Sequence, residues 1–138
     1  MRLLQTRAVT IQLISPAGLP PQATYTQVVV ATGTTMVFIA GQEPEDLHGK
    51  SVAPGDLAAQ ARHVYANLGR ALAAAGTRPD QVAKINIYVV DYKPEYLPVI
   101  EQARVGLFGD HKPADTLIGV ARLARPEFLI EVDAIAVK

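Results

Sequence analysis

His111-Lys-Pro-Ala-Asp-Thr-Leu-Ile-Gly-Val-Ala-Arg-Leu123, followed by Ala124-Arg-Pro-Glu-Phe-Leu-Ile-Glu-Val-Asp-Ala-Ile-Ala-Val-Lys138, ends the chain in two apolar segments. Asp115 to Ala121 and Phe128 to Val137 are short and apolar, and Arg125-Pro126-Glu127 lies between them, so they predict two strands and a connection. Glu131 stands inside the second strand between Ile130 and Val132. An acid there either faces solvent by alternation or is buried for a purpose, because taking a carboxylate out of water is costly. The apolar neighbours favour purpose.

Working back from this end, Ile85, Ile87 and Val89 alternate with Lys84, Asn86 and Tyr88, the period-two pattern of a strand with one buried face over Val82 to Val90. Between that strand and the closing pair, Tyr96, Val99, Ile100, Ala103 and Leu107 give a helical stripe that starts near Pro94 and stops near Gly109. A longer helix is predicted from Asp56, its N-cap or first-turn acid, to Ala75, with Leu57, Ala61, Val64, Leu68 and Leu72 on one face and Gly76 as the stop. Its many alanines favour the helix and allow it to lie close to a sheet.

Glu45 to Gly55 reads as a surface loop. Gln27 to Ala31 and Met36 to Ala40, joined by Thr32-Gly-Thr-Thr35, predict a β-hairpin. Ile11 to Ser15 is a further apolar run before the irregular Pro16-Ala-Gly-Leu-Pro-Pro21. The order ββαβαββ, with one more strand if Ile11 to Ser15 pairs, argues for an α+β fold with two helices on one face of a single sheet. Val28, Val30, Ile85, Ile118 and Ile130 are candidates for burial, and the sheet's second face then points to an oligomer.

A chain of 138 residues fits one domain, residues 1–138, with a core that needs no staple. Equal numbers of basic and acidic residues, 13 each, leave no net field to attract nucleic acid or anionic lipid. The absence of cysteine removes thiolate nucleophiles and cysteine-ligated zinc. His48, His63 and His111 have no shared metal-ligand spacing, and the glycines form neither a phosphate loop nor a dinucleotide fingerprint, so no metal or cofactor is expected. The first residues, Met1 to Arg7, hold no apolar run of signal-peptide type, and no run approaches the roughly 18 residues of a membrane span. The expectation is a soluble, cytoplasmic protein with no membrane partner.

Ala40-Gly-Gln-Glu-Pro44, Gln60-Ala-Arg62 with Asn67-Leu68 one turn later, and Val120-Ala-Arg-Leu123, in this order, resemble the Rid (reactive intermediate deaminase) family. That family is also called YjgF or endoribonuclease L-PSP, and the match runs from about Ser15 to the end. The resemblance implies a chorismate-mutase-like fold assembled as a homotrimer around a central barrel, with a small-molecule pocket at each subunit interface. It implies hydrolytic deamination of an imine or enamine without a cofactor. Tyr25 matches the tyrosine that lines the pocket, Gly41 the glycine whose backbone approaches the ligand, and Glu131 the glutamate assigned to the attacking water.

Asp115 departs from the pattern. It stands where the family's arginine grips a substrate carboxylate, with Thr116 in place of a serine, Leu117 in place of a frequent cysteine, and Ile100 or Glu101 at a common asparagine. A carboxylate there replaces a bidentate fork with like-charge repulsion. Either Arg104 supplies the grip from the second helix, or the ligand carries an amine or hydroxyls that donate to Asp115. The plainer readings are a strand-end cap for Asp115, a tethered core tyrosine for Tyr25 and a solvated helix arginine for Arg104. Three functions compete: a deaminase of altered specificity, a non-catalytic metabolite-binding or regulatory trimer, and a ribonuclease or translation inhibitor. Zero net charge and only 6% aromatics argue against the last.

Overall fold

In the computed structural model, which describes residues 8–138, helix α1 (Leu57–Ala74) starts where the sequence predicts. The Asp56 carboxylate accepts from the Ala59 amide at 3.0 Å, satisfying one of the free donors of the first turn. Gly76, at φ 71°, follows its last turn in the left-handed region that glycine adopts without strain. The second helix, α2 (Leu97–Phe108), is preceded by a 3-10 turn over Pro94–Tyr96, where proline's missing donor costs nothing. The reading of Met1 to Arg7 as free of a signal peptide lies outside the described residues.

The main sheet has four strands in the order β3 (Met36–Gln42), β6 (Ile130–Val137), β4 (Val82–Val90), β5 (Ala114–Val120). Strand β6 runs antiparallel to both neighbours while β4 and β5 are parallel, joined by α2 as a crossover. The sheet is therefore mixed, and both helices cover one face of it. Ile85, Ile87 and Val89 from β4, and Ile130, Val132 and Ala134 from β6, bury their side chains against Val64, Leu68 and Leu72 of α1 and Ile100 of α2. Each such large apolar side chain contributes about 1.5–3 kcal/mol. Ile85 and Ile130 thus belong to the helix face. Of the residues expected to argue for an oligomer, only Ile118, Val28 and Val30 lie outside this core.

The predicted hairpin between the second and third strands does not form. Strand β2 (Val28–Thr32) pairs antiparallel with β1 (Thr10–Ile14) in a separate two-stranded ribbon, and β3 pairs with β6. Within the connection, the Thr34 and Thr35 amides donate to the Lys138 carbonyl at 3.0 and 2.9 Å and the Lys138 amide donates back to the Thr35 carbonyl. The other end of the ribbon is tied to the opposite edge of the sheet, the Thr26 amide donating to the Pro113 carbonyl at 3.3 Å. The ribbon therefore spans the sheet and passes close to β4.

One irregularity positions the site. Ile39 is opposite Ala134 but Gln42 is opposite Val132, so β3 carries an extra residue at Ala40-Gly41. This bulge turns the Gly41 backbone toward the second face of β6.

Candidate functional site

The residues singled out by sequence fall into two groups. Strand alternation separates them: Asp115 is opposite Ile85 and points with it toward the helices, whereas Glu131 is opposite Tyr88 on the second face.

The first group lines a cleft of about 590 Å³ beside the β5 edge, containing Tyr25, Lys84, Glu101, Asp115 and Thr116. Tyr25 reaches it because the next residue, Thr26, is bonded through its amide and hydroxyl to the carbonyls of Pro113 and Lys112, two and three residues before Asp115. Asp115 is half-buried, and neither a backbone amide nor a side chain among the described residues donates to its carboxylate, so it is not the strand-end cap of the plainer reading. Burial, then the nearby Glu101 carboxylate, pushes it up to about 6, with Arg104 and Lys84 opposing. Thr116, its neighbour in sequence, faces the other way and accepts from Lys84 Nζ at 2.6 Å.

Arg104 is neither solvated nor a lining residue of this cleft. It is 2% exposed, its Nε donates to Glu101 at 2.9 Å, and a terminal nitrogen donates to the His111 carbonyl at 3.2 Å. The bond to His111 fixes α2 to the segment leading into β5. Buried beside the same cluster is Tyr65, whose hydroxyl has no partner among the described residues and is held neutral by burial and by Glu101 and Asp115.

The second group lies around the bulge. A Cβ on Gly41 would overlap the Glu131 carboxylate, so the absence of a side chain there is what lets Glu131 lie over the strand. Glu43, two residues on, has Glu131 as a like-charged neighbour; burial, then Glu131, pushes Glu43 up to about 7. Glu43 therefore keeps its proton up to near neutrality. Next to them on the second face, Asp133 accepts from Asn86 Nδ2 at 2.9 Å and from the Tyr88 hydroxyl at 3.1 Å. Glu43 and Lys84 were not anticipated as site residues. Glu43 is legible only as the variable position of Ala40-Gly-Gln-Glu-Pro44, and Lys84 only as a polar residue of an alternating strand.

Among the described residues no cluster of three histidine, aspartate or glutamate side chains is placed to hold a metal ion. His63 and His111 lie 2.7 and 2.8 Å from the carbonyls of Glu45 and Val82, as structural partners. Among the described residues no helix is long and apolar enough to cross a membrane.

The family model described as endoribonuclease L-PSP matches residues 16–138. The 3-aminoacrylate deaminase RutC of Acinetobacter baylyi is 32% identical over 126 residues, covering 91% of this chain and 96% of that protein. Among solved structures, the Rid-family protein YyfB of Yersinia pestis, described as of unknown function, superposes with a TM-score of 0.87 at 34% identity, covering 93% of this chain and 98% of that one. E. coli TdcF with bound serine gives a TM-score of 0.67 at 27% identity over 92% of this chain and 98% of that one. With the matched sequence, the two helices on a mixed sheet and these neighbours in agreement, the chain belongs to the Rid (YjgF, endoribonuclease L-PSP) family.

Proposed function

We propose that this protein is a hydrolytic deaminase of an imine or enamine metabolite, acting without a cofactor at a pocket between subunits of a homotrimer. The observation that carries the reading is the Glu43–Glu131 pair held over the Gly41 backbone. Glu43, protonated near neutral pH, can return a proton to nitrogen while Glu131 beside it accepts one from water. In the reaction the water oxygen bonds to the imine carbon as Glu131 takes its proton, and the C=N electron pair moves to nitrogen, which is protonated. The carbinolamine then collapses to a carbonyl and ammonia, so no electrons are gained or lost. The relationship to a 3-aminoacrylate deaminase supports the reaction class.

Asp115 sets a different ligand grip. Arg104 is committed to Glu101 and His111, so Lys84 is the cation nearest to a ligand in the cleft, and Asp115 receives an amine or hydroxyl of the ligand. Tyr25 and Thr116 shape the same wall. A cysteine-free chain of balanced charge fits the cytoplasm.

The test is release of ammonia and 2-keto acid from imines generated in place by an amino-acid oxidase, with spontaneous hydrolysis subtracted. Wild type should accelerate hydrolysis and Glu131→Ala should lose at least tenfold. Activity in Asp115→Arg alone would mean that the natural ligand is not a free amino-acid imine. Stabilisation by ligand with no turnover in any variant would support the non-catalytic binding reading instead.

A further inference from the structure

Two neighbouring strands of this chain end at unpaired edges. Within the described residues β2 hydrogen-bonds only to β1, and β3 only to β6. Both edges carry exposed apolar side chains: Val28 and Val30 on β2, and Met36 and Phe38, 60% and 71% exposed, on β3. An open edge of this kind is a template for another strand, and a two-stranded ribbon is marginal on its own. The ribbon cannot turn back onto its own β3 while Thr26 is bonded at Lys112 and Pro113 and Thr34 and Thr35 are bonded at Lys138. The edge of β3 is thus open to a strand from elsewhere, and the strand with the matching free edge is β2 of another copy.

We propose that copies of this protein exchange ribbons, β2 of one chain adding to the β3 edge of the next. The exchange also has a consequence for the site, which rests on the function proposed above. Because the ribbon stays tied near Asp115 of its own chain, adding it to a neighbour's β3 carries Tyr25 and Asp115 toward that neighbour's Gly41, Glu43 and Glu131. The two groups that one chain keeps on opposite faces become one pocket.

The chain has no cysteine, so an introduced pair reports a single contact. Continuing the antiparallel register outward from Thr32 and Met36 sets Val30 opposite Phe38 and Val28 opposite Ala40. Val30→Cys with Phe38→Cys, oxidised at low protein concentration, should give a ladder of covalent dimers and larger species on a non-reducing gel, and neither single variant should do so. Val28→Cys with Ala40→Cys is the second pair, used if circular dichroism shows the first to be misfolded. A monomer band with both thiols consumed would mean that each ribbon folds onto its own β3, which overturns the proposal, as would free thiols in the folded pair. The readout does not involve turnover, so a ladder in a protein that fails the ammonia assay would reject the deaminase reading and leave exchange standing.

Discussion

Asp115 is a half-buried carboxylate with a second carboxylate beside it, and its stability cost has a definite sign. Its ordinary value is 3.8 and its value in the fold is about 6. Between those values the folded chain holds the proton more tightly than the unfolded chain, so stability falls as pH rises through that window and stays lower above it. After allowance for solvent screening the cost is on the order of 1 kcal/mol. Asp115→Asn is therefore expected to raise the melting temperature by roughly 3–5 °C at pH 7.5 and by nothing below pH 3.8, as followed by thermal unfolding across pH. An equal gain at both pH values would show that the carboxylate's charge is not the cause. Glu43 gives a kinetic counterpart. If Glu43 returns the proton in the reaction, kcat/KM should inflect near pH 7 in wild type, and Glu43→Gln should abolish that inflection. Asp115 could be singled out from sequence because its position has a matched role. Glu43 could not, since its effect comes from a neighbour 88 positions away that only the β3 bulge brings close.

Elements were read from sequence more surely than their pairings. Both helices and the strands of the main sheet lie close to where periodicity sets them, because an amphipathic stripe is local information. The hairpin failed for the same reason. A hydrophobic run ending in a glycine-containing connection looks the same whether its partner is the next strand or another one, and here β2 pairs with β1 and β3 with β6. Gln60 shows the complementary limit: its place on α1 was plain, its task was not. It is fully buried, its amide nitrogen donates to the carbonyls of Val52 and Glu127 at 3.1 and 2.8 Å, and its oxygen accepts from the Leu129 amide at 2.8 Å. These bonds fasten α1 to the loop before it and to the entry of β6. Gln60→Ala should leave several buried backbone groups unpaired and destabilise the fold by about 2–4 kcal/mol, measured by urea unfolding. A loss under 0.5 kcal/mol would mean that water replaces the side chain.

At the scale of the molecule, the helix face is closed and the second face is not. Phe38 and Met36 are exposed beside the polar cluster of Glu131, Asp133 and Asn86, a mixture that suits a contact between copies better than free solvent. The oligomer was inferred from sequence partly through Ile85 and Ile130, which the fold assigns to its own core; the better argument is Phe38, whose alternation with Val37 and Ile39 directs it away from the helices. Phe38→Glu tests this. Nothing in the core touches that side chain's solvent face, so circular dichroism and cooperative unfolding should persist. Light scattering should show the wild-type oligomer replaced by monomer, because a charge at the centre of an apolar contact costs several kcal/mol per copy against about 2 gained by the phenylalanine. If the variant keeps the wild-type mass, the contact lies elsewhere on the sheet, and Ile118, toward the β5 edge of the same face, is the next position to charge.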